Sequence, residues 1–170
     1  MTKKRLDSFG PRFLGTIALL LLLAAAPPGR QPMGIFGDWG AFRDVKPRHC
    51  YAIATPETRR SGEWRPFASV AHWPDRGIRN QLHIRLREER APRSPIALYV
   101  GEARFPLVAG RVDAWAPDAR ADAAIVAAMR GATSMRVAWV SKGGKDRSDG
   151  YLLKGVASAI DAAAIGCARR

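Results

Sequence analysis

Cysteine and histidine are scarce in this chain, with two and three residues respectively among 170. Two cysteines cannot staple a disulfide-dense miniature scaffold or complete a four-ligand zinc site. The histidines add little, because His49, His72 and His83 fall on different strand candidates with no two at i, i+2 or i, i+4 spacing. No metal and no cofactor is expected, and the histidines read as exposed, with His83 on the wet face of its strand. Long apolar runs are also lacking: one 14-residue stretch, Phe13 to Ala26, is the only candidate. With no internal period either, a multi-span membrane protein or a repeat array is excluded. The sequence holds no nucleophile elbow, P-loop, dinucleotide glycine fingerprint or His-Glu-x-x-His motif.

Negative charge is the other deficit. Fifteen acidic residues face 28 basic ones, for a formal +13 and a pI near 11. The apolar fraction of 47% is ordinary for a globular protein, so disorder is not expected over most of the chain, and the length suits one domain with an appendage.

That appendage is the N-terminus. Lys3, Lys4, Arg5 and Arg12 precede the uncharged run, which contains five consecutive leucines at Leu19 to Leu23. This is the layout of an export signal. A 14-residue helix rises about 21 Å, short of the roughly 30 Å hydrocarbon core, so removal is expected over anchoring. Ala24, Ala25 and Ala26 supply small residues for a peptidase, although Pro27 follows directly. An uncleaved, membrane-tethered form is the alternative. The division is therefore an export signal at 1–26, a Pro/Gly linker at 27–35 and a folded domain at 36–170, which keeps most of the positive charge. The expected location is the periplasm or outer envelope.

Export changes the meaning of Cys50 and Cys167, since an oxidising compartment permits a disulfide between them. Two buried thiols are the alternative. A catalytic cysteine is disfavoured, because His49 beside Cys50 points to the opposite face of a strand.

Strand candidates are Asp38 to Phe42, Cys50 to Thr55 and Phe67 to Trp73, short apolar segments bounded by turn formers. Gln81 to Arg87 carries the cleanest period of two, with Leu82, Ile84 and Leu86 on one face. Ile96 to Val100 and Ala103 to Leu107 form a hairpin about Gly101-Glu102, and Met135 to Ser141 and Ser148 to Leu153 a second about Gly143-Gly144. One helix is predicted from an N-cap at Asp118, through Ala121, Ile125, Ala128 and Met129, to a left-handed stop at Gly131; another spans Val156 to Ile165 and stops at Gly166. The sum is a mainly β protein, an antiparallel β-sandwich with two short helices. The five tryptophans read as core packing anchors.

The chemistry is sparse. Glu88-Glu89 beside Arg87 and Arg90 reads as a solvated turn with local ion pairs. Ser141, Lys142 and Asp149, with Glu102, could be drawn as a hydrolase constellation, but a Ser-Lys-Gly-Gly-Lys tip is more simply a turn. What remains is basic surface: arginines 76, 79, 85, 87, 90 and 93, and a second cluster of Lys142, Lys145 and Arg147. Same-face residues on a strand lie about 7 Å apart, so Arg85 and Arg87 would project together. With Arg79 they are the candidate contacts for phosphate or carboxylate: anionic lipid headgroups, lipopolysaccharide, acidic glycans or a protein partner. Plain solubility explains such charges equally well. Nucleic acid would use the same charge, with Trp64 and Trp73 to stack on bases, but an exported protein rarely meets it.

In order and spacing, the motifs resemble the invasion-associated locus B family of exported bacterial proteins. They are Phe36-Gly37-Asp38-Trp39, Cys50-Tyr51-Ala52-Ile53, Asp113-Ala114-Trp115-Ala116, Asp122 with Ala127-Ala128-Met129-Arg130-Gly131, Ser134-Met135, Ser141-Lys142-Gly143-Gly144, Asp149-Gly150-Tyr151-Leu152-Leu153-Lys154-Gly155 and Cys167. The resemblance implies an immunoglobulin-like sandwich, an envelope location and, in pathogenic members, a link to host-cell entry. The chain departs from that pattern at Pro92 to Pro95 and at Trp139.

Overall fold

A computed structural model describes residues 29–58 and 64–168; the expected export signal lies outside them. The chain is mainly β, two antiparallel sheets with two helices. Strands β1 (Arg30–Phe36), β2 (Trp39–Asp44), β3 (His49–Ala54), β4 (Phe67–Trp73) and β5 (Ile78–Arg85) run as a meander. The short β8 (Val108–Ala109) and β9 (Asp113–Trp115) complete this seven-stranded sheet in the order β1-β2-β3-β4-β5-β9-β8. The second sheet is β11-β10-β6-β7, built from the hairpins β6 (Ile96–Val100) with β7 (Ala103–Pro106) and β10 (Ser134–Val140) with β11 (Asp146–Leu152). Both hairpins were expected from their glycine turns.

The inner face of the large sheet offers Trp39, Ala52, Val70, Leu82 and Ile84 to the core; the small sheet answers with Leu98, Val137, Trp139 and Tyr151. Small residues opposite large ones let the layers interdigitate. Helix α1 (Ala119–Gly131) adds Ile125 and Met129, and α2 (Val156–Ala168) adds Val156, Ala159 and Ile160. Asp118 caps α1 as expected, accepting from the Ala121 N–H at 2.8 Å. One turn on, buried Asp122 accepts the Leu82 backbone N–H at 2.8 Å and so docks the helix onto β5. Burial, and secondarily the Asp118 charge, push its carboxyl above the ordinary range against that hydrogen bond.

Several expectations need correction. Most of the predicted linker is β1, which pairs with β2 from Arg30 opposite Asp44 to Phe36 opposite Trp39. Pro32 and Gly34 are tolerated because β1 is an edge strand and its register shifts between them. Gly131 is not a left-handed stop: it is the last helical residue, followed by extended Ala132. Nor does Gly166 end α2, which continues to Ala168. Glycine is there because a β-carbon would come within 2.6 Å of the Met33 sulfur and 3.7 Å of the Cys50 sulfur. A sharper requirement falls at Gly155, where φ is +84° and a β-carbon would sit 1.9 Å from the Phe36 carbonyl oxygen. That approach lets Asp38 N–H donate to the Lys154 carbonyl at 3.0 Å, and Trp39 Nε1 to the Leu152 carbonyl at 2.9 Å.

Cys50 and Cys167 are bonded to each other, 117 positions apart. With Ala163 and Met33 they form a small second core between α2 and the sheet.

Candidate functional site

The structure does not bring Arg79, Arg85 and Arg87 together. Only Arg79 is exposed. Arg85 lies on the outer face of the large sheet, its Nε 2.7 Å from Asp113 Oδ1, the same oxygen that His83 Nε2 meets at 2.7 Å. Arg87 does not project beside it. The strand ends at Arg85, and Leu86 and Arg87 are both buried, so the alternation of faces breaks there. Arg87 is 6% exposed and pairs with the fully buried carboxylate of Asp149, while its Nη2 donates to the Ser148 carbonyl at 2.9 Å.

Two members of the second basic cluster, Lys142 and Arg147, are likewise held in ion pairs. Lys142 and Arg111 reach Glu89 at 3.0 and 2.7 Å, and Arg147 pairs with Glu88. Glu88-Glu89 is thus a cross-loop anchor for the hairpin tip, not a turn paired with Arg87 and Arg90. The Lys142 hydrogen bond, helped by the Arg111 charge, holds the Glu89 carboxyl below its ordinary value. The residues sketched as a hydrolase do not converge: Ser141 is buried with its hydroxyl on the Lys145 N–H, Asp149 stands opposite Val137 four residues along β10, and Glu102 is exposed in the β6–β7 turn.

Arg79 instead opens on a cleft of about 630 Å³ beside the disulfide. Its walls come from the β2–β3 turn (Arg48), β4 (His72), the turn before β5 (Asp75), the first residues of β5 (Arg79, Asn80) and the last turns of α2 (Ala164, Cys167). Arg48 Nη2 donates to the Cys167 carbonyl at 2.9 Å, capping the helix C-terminus with positive charge. Its Nη1 lies 4.0 Å from Asp75, a largely exposed carboxylate. Arg79 has no ion-pair partner among the described residues. Two local irregularities shape the cleft, a register shift between Ala71 and Trp73 and a left-handed Asn80 at φ 60°. Asparagine tolerates that conformation better than most side chains.

His72, 7% exposed, is the buried polar wall. Its Nδ1 accepts the Asn80 backbone N–H at 3.4 Å, which leaves the ring proton on Nε2, a buried atom with no hydrogen-bond partner among the described residues. Burial lowers its pKa; the Ile160 carbonyl opposes this and the Arg79 charge adds to it. The folded state therefore binds fewer protons than the unfolded chain below the ordinary value of 6.5. Stability is expected to fall as pH drops from 7.5 to 5, and His72→Gln should flatten that part of the profile, as read from urea midpoints. An unchanged slope in the variant would show that His72 does not carry it.

The cleft can therefore present two guanidiniums and a neutral imidazole against one solvated carboxylate, a binding arrangement for an anion. Among the described residues, no group of three or more His, Cys, Asp or Glu comes together for a metal ion. Sequence reasoning found Arg79 but missed Arg48, His72 and Asn80. A usable signal was Arg48 lying two positions before Cys50, on the same side of the chain.

The histidines and tryptophans also differ from expectation. Trp39 and Trp139 are core, but Trp73 and Trp115 stack on His49 and His83 on the outer sheet face at centroid distances of 4.1 and 5.3 Å. Rings consumed in such stacks offer each other, not a ligand, their faces.

Neither a family model nor a curated protein matches the sequence. Among solved structures, invasion associated protein B from Bartonella henselae is similar at a TM-score of 0.57 and 17% identity, over 78% of this chain and 96% of that one. The likeness to that protein, at this identity, is one of fold: a mainly β chain of two antiparallel sheets.

Proposed function

We propose that this is an exported, non-enzymatic protein of the cell envelope that binds an anionic envelope component, such as a lipid headgroup, lipopolysaccharide or acidic glycan, or the acidic surface of a partner protein. The observation that carries this reading is Arg79, exposed and without a carboxylate partner among the described residues, at the mouth of the cleft that Arg48 and the disulfide line. The basic N-terminal flank, the uncharged run after it and the cystine support export. The site retains one of the three arginines first singled out.

The test is co-sedimentation of the oxidised protein with phosphatidylglycerol vesicles and with lipopolysaccharide, phosphatidylcholine vesicles serving as the neutral control. A hydrogen bond to a charged group contributes about 1.5–3 kcal/mol, so Arg79→Glu should weaken binding at least tenfold, while Arg85→Ala, on the outer sheet face, should change it less than twofold. Equal binding by Arg79→Glu would overturn the site. Native fractionation tests the compartment: full-length cytosolic protein with free thiols would overturn export.

A further inference from the structure

The outer face of the four-stranded sheet carries a second, unassigned feature. Register sets Arg136, Tyr99 and Arg104 side by side on β10, β6 and β7. The outer strands lie roughly 10 Å apart. Arg136 leans inward, with its guanidinium carbon 4.0 Å from the centre of the Tyr99 ring, and Arg104 flanks the same tyrosine from the neighbouring strand. Both arginines are exposed, and neither forms an ion pair with any described residue, unlike Arg85, Arg87, Arg111, Arg130 and Arg147.

From this pair a trough of about 360 Å³ runs along the sheet. Its floor is Ala97 and Ala138, register partners whose small side chains leave a flat apolar strip. Its far end is the exposed carboxylate of Asp146, opposite Val140 and four residues along β10 from Arg136. Four residues of strand span about 13 Å. The trough thus has a doubly cationic end, an apolar middle and an acceptor end.

The geometry points to a binding site for a phosphorylated sugar of one or two rings. Paired guanidiniums match a phosphate group, which they grip through parallel charge-assisted hydrogen bonds. The alanine strip accommodates the C–H face of a pyranose, and Asp146 accepts from hydroxyls at the far end. A peptide or nucleic acid would need a longer track of cations than this pair supplies. The site is separate from the cleft at Arg79, and its existence does not depend on that reading.

The test is an amide NMR titration of the oxidised protein with glucose 1-phosphate, glucose and inorganic phosphate. Glucose 1-phosphate should shift the Tyr99, Arg136 and Ala138 resonances and bind at least fivefold tighter than phosphate or glucose. Arg104→Ala and Arg136→Ala should each weaken it about tenfold, and Arg79→Glu should leave it unchanged. All three positions are exposed, so the variants should keep the wild-type spectrum elsewhere. Vesicles carrying lipid A, a phosphorylated glucosamine disaccharide, separate the sources: Arg136-dependent capture assigns a lipid-borne headgroup, and its absence beside glucose 1-phosphate binding assigns a soluble sugar phosphate. Equal affinity for inorganic phosphate and glucose 1-phosphate, or unaltered binding by both arginine variants, would overturn the proposal.

Discussion

Replacing both Cys50 and Cys167 with alanine is expected to lower the unfolding free energy by about 4–5 kcal/mol, the largest effect of any change described. The bond closes a loop of more than 100 residues, and the chain-entropy relation assigns a loop of that size a constraint of about this magnitude on the unfolded chain. A domain of this size is stable by only about 5–15 kcal/mol in total. Helix α2 gives a second reason. Towards its end it buries Ala163 and the cystine itself, so little apolar area besides the cross-link holds its last turn to β3. Urea unfolding of the oxidised protein, the reduced protein and the double variant measures this. The two cysteine-free or reduced forms should agree with each other; a loss below about 1 kcal/mol would mean that packing alone fixes the helix.

Arg87→Ala is expected to cost about 3–5 kcal/mol, since it leaves the fully buried Asp149 carboxylate without its counter-charge. Tyr151 is buried next to that charge: burial pushes its phenol far above the ordinary range, and the Arg87 charge pulls the other way. Asp149→Asn should be costly for the converse reason, a buried guanidinium deprived of its counter-charge. Replacing the pair together, as Arg87→Met with Asp149→Leu, should recover most of the loss, because well-packed apolar residues avoid the desolvation that both charges impose. A double-mutant cycle in urea reads the coupling directly. If Arg87→Ala unfolds at the wild-type midpoint, the pair contributes nothing. A binding defect in any Arg87 variant is therefore to be judged against its stability.

The legible parts of the fold were those written in local pattern. The glycine turns placed both hairpins, the aspartate N-cap placed the start of α1, and turn formers bracketed β4 at Phe67 and Trp73. The illegible parts depended on what the chain meets. Proline and glycine in β1 read as a linker because nothing local reveals that the strand lies at a sheet edge. Gly166 read as a stop because its neighbours, Met33 and Cys50, are more than 100 residues away in sequence. Arg87 failed for the same reason: period two holds only while a strand lasts, and β5 ends two residues earlier. At the candidate site Arg79 was visible as charge, whereas His72 was discounted as an exposed histidine. The trough at Tyr99 escaped because its arginines lie on strands joined by register and not by sequence.

The cystine also governs how the molecule would respond to damage. Because it links residues 50 and 167, every turn and loop from β3 to the end of α2 falls inside one covalent ring. A protease that cuts a single peptide bond there, between β3 and β4 or at the Gly143-Gly144 tip, releases no fragment. A once-nicked molecule keeps its mass apart from one added water, and its two pieces separate on a gel only after reduction. Cleavage before Cys50, by contrast, sheds β1 or the segments ahead of it as free peptide. Limited proteolysis read with and without reductant therefore separates cuts inside the ring from cuts ahead of Cys50.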